Sequence, residues 1–558
     1  MAGGAASVVM AWTPVFRATA ASGATTSPPA NFPSSISVYQ QAYQNWSGMI
    51  VIEDVWTCAP TSPSDVVTLA NWAYANGYRL RAKGMSHGWS PLVLPTGNTG
   101  AGYVLVDTTQ YLTSVSVGTG TVTAQAGVTM DTLTTKVAAA GYGFAAIPAP
   151  GDITLGGALA IDAHGSAIPA TGETKLTGQT YGSLSNLILS ITAVVWNGSA
   201  YVLQTFQRDD PDIRAFLVHL GRAFITSVTL QVAASQNLQC QSWVDISAAD
   251  LFAAPASAGS SSLASYANSA GRVEAIWFPF TDTPWLKVWS IQPSQPLLSV
   301  EVASGYNYSF TNSVTTAENT FFDEVAAGDT SGTPAFEDAA ISLVDTGLVF
   351  TGTWDLWGQW QNTLLYVKPT TVRIIEAGFA ILTSRANIQQ VVSDFYTQYT
   401  TLLNSYADDD VYPINGPVEI RITGLDQTSD SEASGAYSPI LSAVRPRPDQ
   451  TSWDVAVWLD MGTLPVTPGF SAFYTAMESW IWSHYTGSYA AVRPEWSKAW
   501  ACTSTAPWTN STILSTNVPA AVNAGQASDD GWSTAISILT GYDPYSVFSN
   551  PFLDTLFG

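Results

Sequence analysis

Charged residues are scarce in this chain, and basic ones scarcest of all. Only 11% of its 558 residues are Asp, Glu, Lys or Arg, and 19 basic residues face 42 acidic ones, a formal net charge of −23. A surface of that sign repels polyanions and offers no basic stripe for phosphate contacts. The sequence therefore argues against nucleic acid as a partner.

Cysteine is also rare, with Cys58, Cys240 and Cys502 as the complete set. An odd number without CxxC spacing indicates neither a disulfide framework nor a structural zinc site, so we expect at most one disulfide and no bound metal. No run of about eighteen uninterrupted apolar residues occurs, so we expect no membrane-spanning helix.

Aromatic residues, in contrast, make up 12% of the chain and hydrophobic residues 46%. A chain of this length and composition can form the hydrophobic cores of several domains and can line large apolar pockets. The first 26 residues are rich in Ala, Ser, Thr and Gly, and Ala18-Thr19-Ala20 is similar to a signal-peptidase site. We therefore expect a flexible tail over residues 1–35 and a secreted, extracellular bacterial protein.

Local signals predict an α+β fold. A helix is predicted after Ser62, with Ser62 as N-cap, Pro63 at its first position, Asp65 completing the cap and Gly77 ending it. Short strands are predicted around it, and longer Trp-rich strands follow from about residue 238. The Ala/Ser-rich stretch 253–269 is predicted to be a surface loop.

The most informative segment lies where a strand runs into a glycine-containing turn. It reads Lys83, Gly84, Met85, Ser86, His87, Gly88, Trp89, Ser90. Backbone N–H groups of such a turn can cradle a diphosphate. Further motifs accompany this segment. They are Asp107 after an apolar strand, and the run 150–158, which contains Gly156-Gly157 and is followed by His164-Gly165.

Taken together, these motifs resemble the FAD-binding domain of the vanillyl-alcohol-oxidase superfamily. The resemblance implies a two-subdomain PCMH-type FAD-binding domain over residues 36–237, an α+β substrate domain with a large antiparallel sheet over 238–480, and a segment 481–558 that returns to the FAD-binding domain. It implies that FAD is bound by Lys83, Gly84, Met85, Ser86, His87, Gly88, Trp89, Ser90, Gly151, Thr154, Gly156, Gly157, His164, Gly165, Ile225 and Asn550.

His87 stands where many members of that superfamily attach the flavin covalently. A neutral imidazole is chemically suited to the bond, because one nitrogen attacks while a hydrogen bond can hold the other. The alternative is a histidine that only hydrogen-bonds to a non-covalent FAD. His219 and His484 are interpreted as structural, and His164 as cofactor-lining or structural.

Glu419 and Arg421 occur two residues apart on a predicted strand, so alternation places them on one face. By themselves they could be an exposed ladder pair. The stretch resembles the Glu-Ile-Arg motif of flavin oxidases, which implies that Glu419 accepts a hydroxyl proton and that Arg421 stabilises negative charge on the reduced flavin.

Beyond the cofactor domain, 55–60, 84–91, 271–280 and 415–426 resemble the covalent-flavin cholesterol oxidases. The resemblance implies oxidation of cholesterol and related 3β-hydroxysterols by FAD held on His87, Δ5 to Δ4 isomerisation and reoxidation by O2. It also implies that Glu274 pairs with the active-site arginine and gates oxygen. Lys498 lies in a segment where Glu495 replaces the histidine of sugar-oxidising relatives, so its role near the flavin is weakened.

Two alternatives stay open. A polyol, sugar or lactone oxidase on the same scaffold would need a polar pocket, whereas aromatic residues of 277–360 (Trp277, Phe278, Trp285, Trp289, Trp354 and Trp357) favour an apolar one. A secreted carbohydrate- or lipid-binding protein would be colourless. We expect a monomer that touches membranes transiently while it extracts substrate.

Overall fold

The computed structural model describes residues 27–308, 316–369 and 371–558. The expected signal-peptidase site at Ala18-Thr19-Ala20, and most of the expected tail 1–35, lie outside the described residues.

The first part of the chain contains two sheets with helices between them. Its elements are β1 (Ser37–Gln44), β2 (Val51–Ala59), α1 (Pro63–Asn76), β3 (Arg79–Lys83), β4 (Tyr103–Asp107), β5 (Val115–Val117), β6 (Thr121–Gln125), α2 (Met130–Ala139), β7 (Tyr142–Gly143), α3 (Leu155–Ala160), β8 (Ile188–Trp196), β9 (Tyr201–Gln207), α4 (Ile213–Phe216), β10 (Phe224–Gln231) and β11 (Ala233–Ala234). One sheet has the order β1-β2-β4-β3 and the other β5-β6-β10-β8-β9. These are the two subdomains that the resemblance implies.

Helix α1 shows how local sequence determines these elements. The Ser62 side chain accepts from the Asp65 N–H at 3.2 Å, and the Asp65 carboxylate accepts from the Ser62 N–H at 3.1 Å. Gly77 ends the helix in the left-handed region, with φ 71°. The predicted capping box and glycine stop are confirmed, and the helix delivers the chain into β3, directly before the 84–90 loop.

The second part is built on one large sheet. Its elements are β12 (Asn237–Trp243), α5 (Ala248–Leu251), α6 (Leu263–Ala270), β13 (Arg272–Trp277), β14 (Trp285–Ile291), β15 (Val300–Val302), α7 (Thr316–Ala326), α8 (Thr333–Thr351), β16 (Asp355–Gln359), α9 (Trp360–Leu364), β17 (Ile375–Thr383), α10 (Ile388–Ala407), β18 (Val418–Gly424), β19 (Val455–Thr463), α11 (Phe470–His484), β20 (Ala491–Pro494), α12 (Val518–Asn523), α13 (Trp532–Tyr542) and α14 (Pro551–Phe557).

The sheet has the order β15-β16-β12-β14-β13-β18-β19-β17-β20, and every pair is antiparallel except β15 with β16. The expected large antiparallel sheet is therefore confirmed. On β18, Val418, Ile420 and Ile422 are buried in the core, whereas the intervening side chains face a cavity. The predicted surface loop 253–269 is wrong in its second half, because Leu263, Ala267 and Ala270 recur at helical spacing and α6 buries them.

The chain after residue 490 contacts both parts. Strand β20 pairs with β17 of the large sheet. Further on, Asp543 accepts from Arg222 and Tyr201, and the Leu80 N–H donates to the Val547 carbonyl at 2.8 Å. The final elements thus fasten the two parts together around the space between them.

Cys58, Cys240 and Cys502 are all buried free thiols. Among the described residues, no helix combines the length and apolar character that crossing a membrane requires.

Candidate active site

A cavity of about 510 Å³ lies between the two parts of the molecule. On one side it is lined by the 84–90 loop and by residues 147–166. On the other side β13 and β18 contribute Glu274, Glu419 and Arg421. A third wall is apolar and comes mainly from α7, α8 and the turn after β19, through Phe322, Phe336, Ala340, Leu343, Val344 and Leu464.

The 84–90 loop is held rigidly from behind. Trp89 and Ser90 donate their N–H groups to the Ser497 carbonyl at 2.9 and 3.0 Å, and the Trp89 indole donates to the Ile374 carbonyl at 2.6 Å. Ser86 adopts a positive φ of 56°, which turns the chain sharply before His87. The backbone N–H groups of residues 84–88 donate to no other described residue, so they are available to an anionic group in the cavity.

Glycines in this wall are required by close approaches between segments. A Cβ on Gly84 would lie 2.3 Å from the Thr154 hydroxyl oxygen, and a Cβ on Gly156 would lie 2.8 Å from the Cβ of Ala126. Both distances are far below ordinary van der Waals contact. The two glycines therefore bring the 84–90 loop and the start of α3 together as one continuous surface.

His87 projects from the loop into the cavity between two indoles. Its ring is stacked on Trp46 and is perpendicular to Trp89, while its Nδ1 is buried and has no hydrogen-bond partner among the described residues. Burial, followed by the charges of Lys498 and Arg373, lowers the pKa of His87 to about 3. The imidazole is therefore neutral with one nitrogen uncommitted, which is the state that nucleophilic attachment requires.

Across the cavity, one guanidinium is gripped by three carboxyl groups. Arg421 donates to Glu274 at 2.7 Å and to Asp460 at 2.9 Å, and it also forms an ion pair with Glu419. Tyr366 donates its hydroxyl to the other oxygen of Glu274. These contacts exist because β13, β18 and β19 are neighbours, with Glu274 opposite Arg421 and Asp460 opposite Glu419.

The protonation of this cluster follows from burial. Burial raises the pKa of Glu419 above its ordinary value; the charge of Arg421 opposes that shift and the charge of Glu274 adds to it. Burial and then the charge of Glu495 raise the pKa of Asp460 well above its ordinary value. Asp460 therefore favours its protonated form beside Glu495, whose Oε1 lies 3.9 Å from His164 Nε2.

Lys498 lies beside both groups of residues. Its ammonium forms an ion pair with Glu376 and is 4.2 Å from the ring centroid of Trp89. Burial lowers the pKa of Lys498 to about 7, and the charge of Glu274 opposes that shift. Lys498 lines the cavity, which is where its expected role near the flavin requires it to be.

Most of the expected cofactor residues line this cavity, including Ile225, Thr154, Gly157 and Gly165. Lys83, Gly151 and Asn550 do not line it. The Lys83 Nζ lies 3.5 Å from a carboxylate oxygen of Asp107, and Gly151 lies near Asp131 and Leu365. Asn550 caps α14. The Asn550 amide also donates to the carbonyls of Pro91 and Leu92, each at 3.0 Å, so it supports the loop from outside.

Several residues of the site were missed at the level of sequence. His219, interpreted as structural, lines the cavity with its Nε2 unpaired among the described residues. Glu376 and Asp460 are isolated carboxylates inside the apolar strands β17 and β19, and that isolation was the available signal. Of the aromatic residues expected to form the pocket, Phe278 and Trp289 line it, Trp354 is exposed, and α7 and α8 supply the remaining apolar wall.

Just behind Glu274 lies a buried lysine. The Nζ of Lys287, opposite Glu274 on β14, has no hydrogen-bond partner among the described residues. It lies 3.1 Å from the ring centroid of Tyr366, 4.4 Å from that of Tyr308, and about equally far from Trp285 and Trp289, at 5.0 and 5.1 Å. Burial lowers its pKa to about 8.

This cavity fits a flavin. The free N–H groups of residues 84–88 suit a diphosphate, the uncommitted nitrogen of His87 suits attachment, and the close approaches at Gly84 and Gly156 leave a wall without protruding side chains. Among the described residues no cluster of His, Cys, Asp and Glu could hold a metal ion.

Comparisons with known proteins also indicate a flavin-binding protein. The family model for cholesterol oxidase, substrate-binding, matches residues 237–558, and that for an FAD binding domain matches residues 56–204. A curated protein, L-gulonolactone oxidase 3 of Arabidopsis thaliana, is 25% identical over 220 residues, which are 38% of this chain. The match spans 36% of that protein's length, just over a third.

Solved structures match over nearly the whole chain. A solvent-stable cholesterol oxidase is 50% identical with a TM-score of 0.94, covering 95% of this chain and 100% of that one. Cholesterol oxidase from B. sterolicum is 42% identical with a TM-score of 0.94, covering 96% and 100%. A histidine-to-alanine variant of the Brevibacterium sterolicum enzyme is 42% identical at 0.93, covering 95% and 99%. The chain therefore belongs to the cholesterol oxidase family and is an FAD-dependent oxidase of sterol alcohols.

Proposed function

We propose that this enzyme oxidises the 3β-hydroxyl of cholesterol and related sterols to a ketone, with FAD attached covalently to His87. The proposal includes isomerisation of the Δ5 double bond to Δ4 and reoxidation by O2 with formation of H2O2. The observation that carries it is the position of the Glu419–Arg421 pair, which faces the cavity that also contains His87 and an apolar wall.

When bound, FAD supplies the hydride acceptor, and the protein supplies position and proton transfer. Glu419 accepts the proton of the substrate hydroxyl, because its carboxylate reaches the cavity and is held by only one partner. Arg421 cannot rotate, since Glu274 and Asp460 hold two of its other nitrogens. Its fixed charge stabilises the negative charge that develops as the substrate is oxidised.

Glu274 and Tyr366 are proposed to control access of oxygen. Both line the cavity beside Arg421, and their hydrogen bond closes the space between Arg421 and the aromatic side chains around Lys287. A path for a small apolar molecule at this point opens only if Glu274 breaks its hydrogen bonds to Tyr366 and Arg421. Lys498 is proposed to stabilise negative charge on the cofactor side of the cavity, next to Trp89.

We also propose transient contact with membranes. Helix α8 carries cavity residues such as Val344 and ends with Val349 and Phe350 exposed by 70% and 86%. Leu297 and Leu298, which precede β15, are exposed by 98% and 72%. Strand β15 pairs with β16, and the residue before β16 is the exposed Trp354. Co-sedimentation with vesicles of uncharged phosphatidylcholine and cholesterol should be lost in Leu298→Ser/Phe350→Ser, whereas oxidation of detergent-dispersed cholesterol should be retained.

The similarity to L-gulonolactone oxidase 3 keeps a lactone or polyol oxidase as the second candidate. The apolar wall of Phe336, Leu343, Val344 and Leu464 disfavours it, because a polyhydroxylated substrate would leave its hydroxyl groups without partners there.

The test is an absorbance spectrum before and after acid precipitation, followed by anaerobic addition of cholesterol. Flavin colour retained in the precipitate supports covalent attachment, and bleaching of the native flavin by cholesterol supports sterol oxidation. Colour released into the supernatant contradicts the covalent bond, and colour that a sugar lactone bleaches but cholesterol does not contradicts the sterol proposal. Analysis of the product for the Δ4-3-ketone tests isomerisation.

A further inference from the structure

One acidic side chain lies within the apolar wall of the cavity. Glu337, on α8, is fully buried and lines the cavity among Phe322, Phe336, Ala340 and Val344. Neither of its carboxyl oxygens has a hydrogen-bond partner among the described residues. Burial, with the charge of Asp338 as the second cause, raises its pKa well above the ordinary value. Glu337 is thus a neutral carboxylic acid that can both donate and accept.

A second polar group near that wall is also incompletely paired. The side-chain oxygen of Asn415 accepts from the Leu464 N–H and from the Thr467 hydroxyl, each at 3.0 Å, so the orientation of the amide is fixed. Its Nδ2 is buried without a partner among the described residues, and Asn415 lines the cavity. The amide therefore presents two unused N–H donors.

Packing links the surroundings of these two groups, which both line the cavity. Phe336, next to Glu337, packs in one apolar cluster with Leu464, whose N–H donates to Asn415. Asn415 precedes Glu419 by four residues, so an extended chain separates them by at most about 14 Å. A steroid ring system fits within that limit.

We infer that Glu337 and Asn415 form a polar subsite for a second oxygen atom of the substrate, at the D-ring end of a 3β-hydroxysteroid. The inference rests on the proposed function, since it assumes that Glu419 receives the 3β-hydroxyl. A hydroxyl at the D ring can accept from the Asn415 amide and exchange a hydrogen bond with Glu337. A sterol with only a hydrocarbon tail leaves both groups unpaired, which costs binding energy.

The alternative is that Glu337 only stabilises the fold, through Tyr399. That hydroxyl is also buried without a partner among the described residues, and burial, with Glu337 as the second cause, raises its pKa well above the ordinary value. A purely structural role would affect all substrates equally. The two roles are therefore separable by comparing substrates that differ only at the far end.

The experiment compares cholesterol with 5-androstene-3β,17β-diol, which has the same 3β-hydroxyl and Δ5 bond. In Glu337→Leu the ratio of kcat/KM for the diol to that for cholesterol should fall about 10- to 100-fold, mainly through KM, and Glu337→Gln should restore most of it. An unchanged ratio in Glu337→Leu overturns the inference.

Inhibition constants of the two Δ4-3-ketone products provide a readout that does not depend on turnover. The 17β-hydroxylated product should lose affinity in Glu337→Leu relative to cholest-4-en-3-one, and an equal change for both products would contradict the subsite. If Glu337→Leu fails to fold, Glu337→Met is measured in the same way. Failure of the proposed function would look different, because the wild-type enzyme would then oxidise neither steroid.

Discussion

The imidazole of His87 lies flat against the indole of Trp46, with ring centroids 3.9 Å apart and ring planes within 24°. The guanidinium carbon of Arg373 lies 5.1 Å from the centroid of the same indole. The stack fixes the direction in which His87 points, and burial, followed by the charges of Lys498 and Arg373, keeps the ring unprotonated. His87 is therefore held as a neutral imidazole, the state that the proposed attachment to FAD requires.

His87→Ala should bind FAD without a covalent bond, because the free imidazole nitrogen that forms it is removed while the loop remains. After acid precipitation the flavin should be in the supernatant, and the turnover number should fall. His484→Ala is the matched control, since His484 contacts Asp394 on the surface at 2.9 Å. Covalent flavin in His87→Ala would rule out this attachment site.

Glu419→Gln should reduce the rate of anaerobic flavin reduction by cholesterol about 10²- to 10⁴-fold, as expected for loss of a general base. Because the base must be ionised, the wild-type rate should fall as pH drops through a pKa above the ordinary glutamate value. That acidic limb should be absent in the variant. Stopped-flow absorbance across pH 5–9 measures both effects, and an unchanged limb would assign it to another group.

Gly84→Ala should reduce the flavin content, because its Cβ would lie 2.3 Å from the Thr154 hydroxyl oxygen and displace the 84–90 loop. Gly84→Ala/Thr154→Ala should recover part of the loss, since the clashing hydroxyl is removed. Gly259→Ala is the control, as nothing lies within 4 Å of its added Cβ. The ratio of flavin to protein absorbance reports the result, and normal loading of Gly84→Ala would contradict the packing argument.

Lys287→Met should stabilise the enzyme at neutral pH. The pKa of Lys287 is lowered to about 8 in the folded protein, so the unfolded chain binds the proton more tightly. Below pH 8 the wild-type enzyme carries the full free-energy cost of burying a charged Lys287. Its stability recovers as the pH rises toward the pKa of lysine in the unfolded chain. We expect a gain of roughly 1–3 kcal/mol at pH 7 that disappears near pH 10.5.

Urea denaturation at both pH values measures this gain. Lys136→Met is the control, because Lys136 is exposed on α2. A gain in Lys287→Met that is independent of pH would show that packing, not charge burial, is its cause.

The sequence could predict those features of the fold and the site that depend on residues close together in the chain. The cap of α1 depends on Ser62 and Asp65, three residues apart, and the shared face of Glu419 and Arg421 follows from alternation along one strand. The 84–90 loop was recognisable because its glycines and histidine are contiguous. In each case the physical cause lies within about ten residues.

The rest depends on strand order. Asp460 reaches Arg421 because β19 lies beside β18, and Lys287 is enclosed because Tyr308 and Tyr366, far along the chain, fold over it. The orphan carboxyl of Glu337 is visible only once α8 is placed against the cavity. The local sequence marks Asp460 only as an isolated carboxylate in an apolar strand, and it does not show which residues Asp460, Lys287 or Glu337 will contact.

The loop that carries His87 depends on residues synthesised much later. Arg81, at its base, donates to the carbonyl of Phe548, 467 residues further on, and the Ser90 hydroxyl donates to that of Trp496. A ribosome therefore releases this loop long before its supports exist. If FAD is attached to His87 as proposed, attachment would follow the synthesis of these supports, and shortened translation products that end before residue 548 should be colourless even where His87 is present.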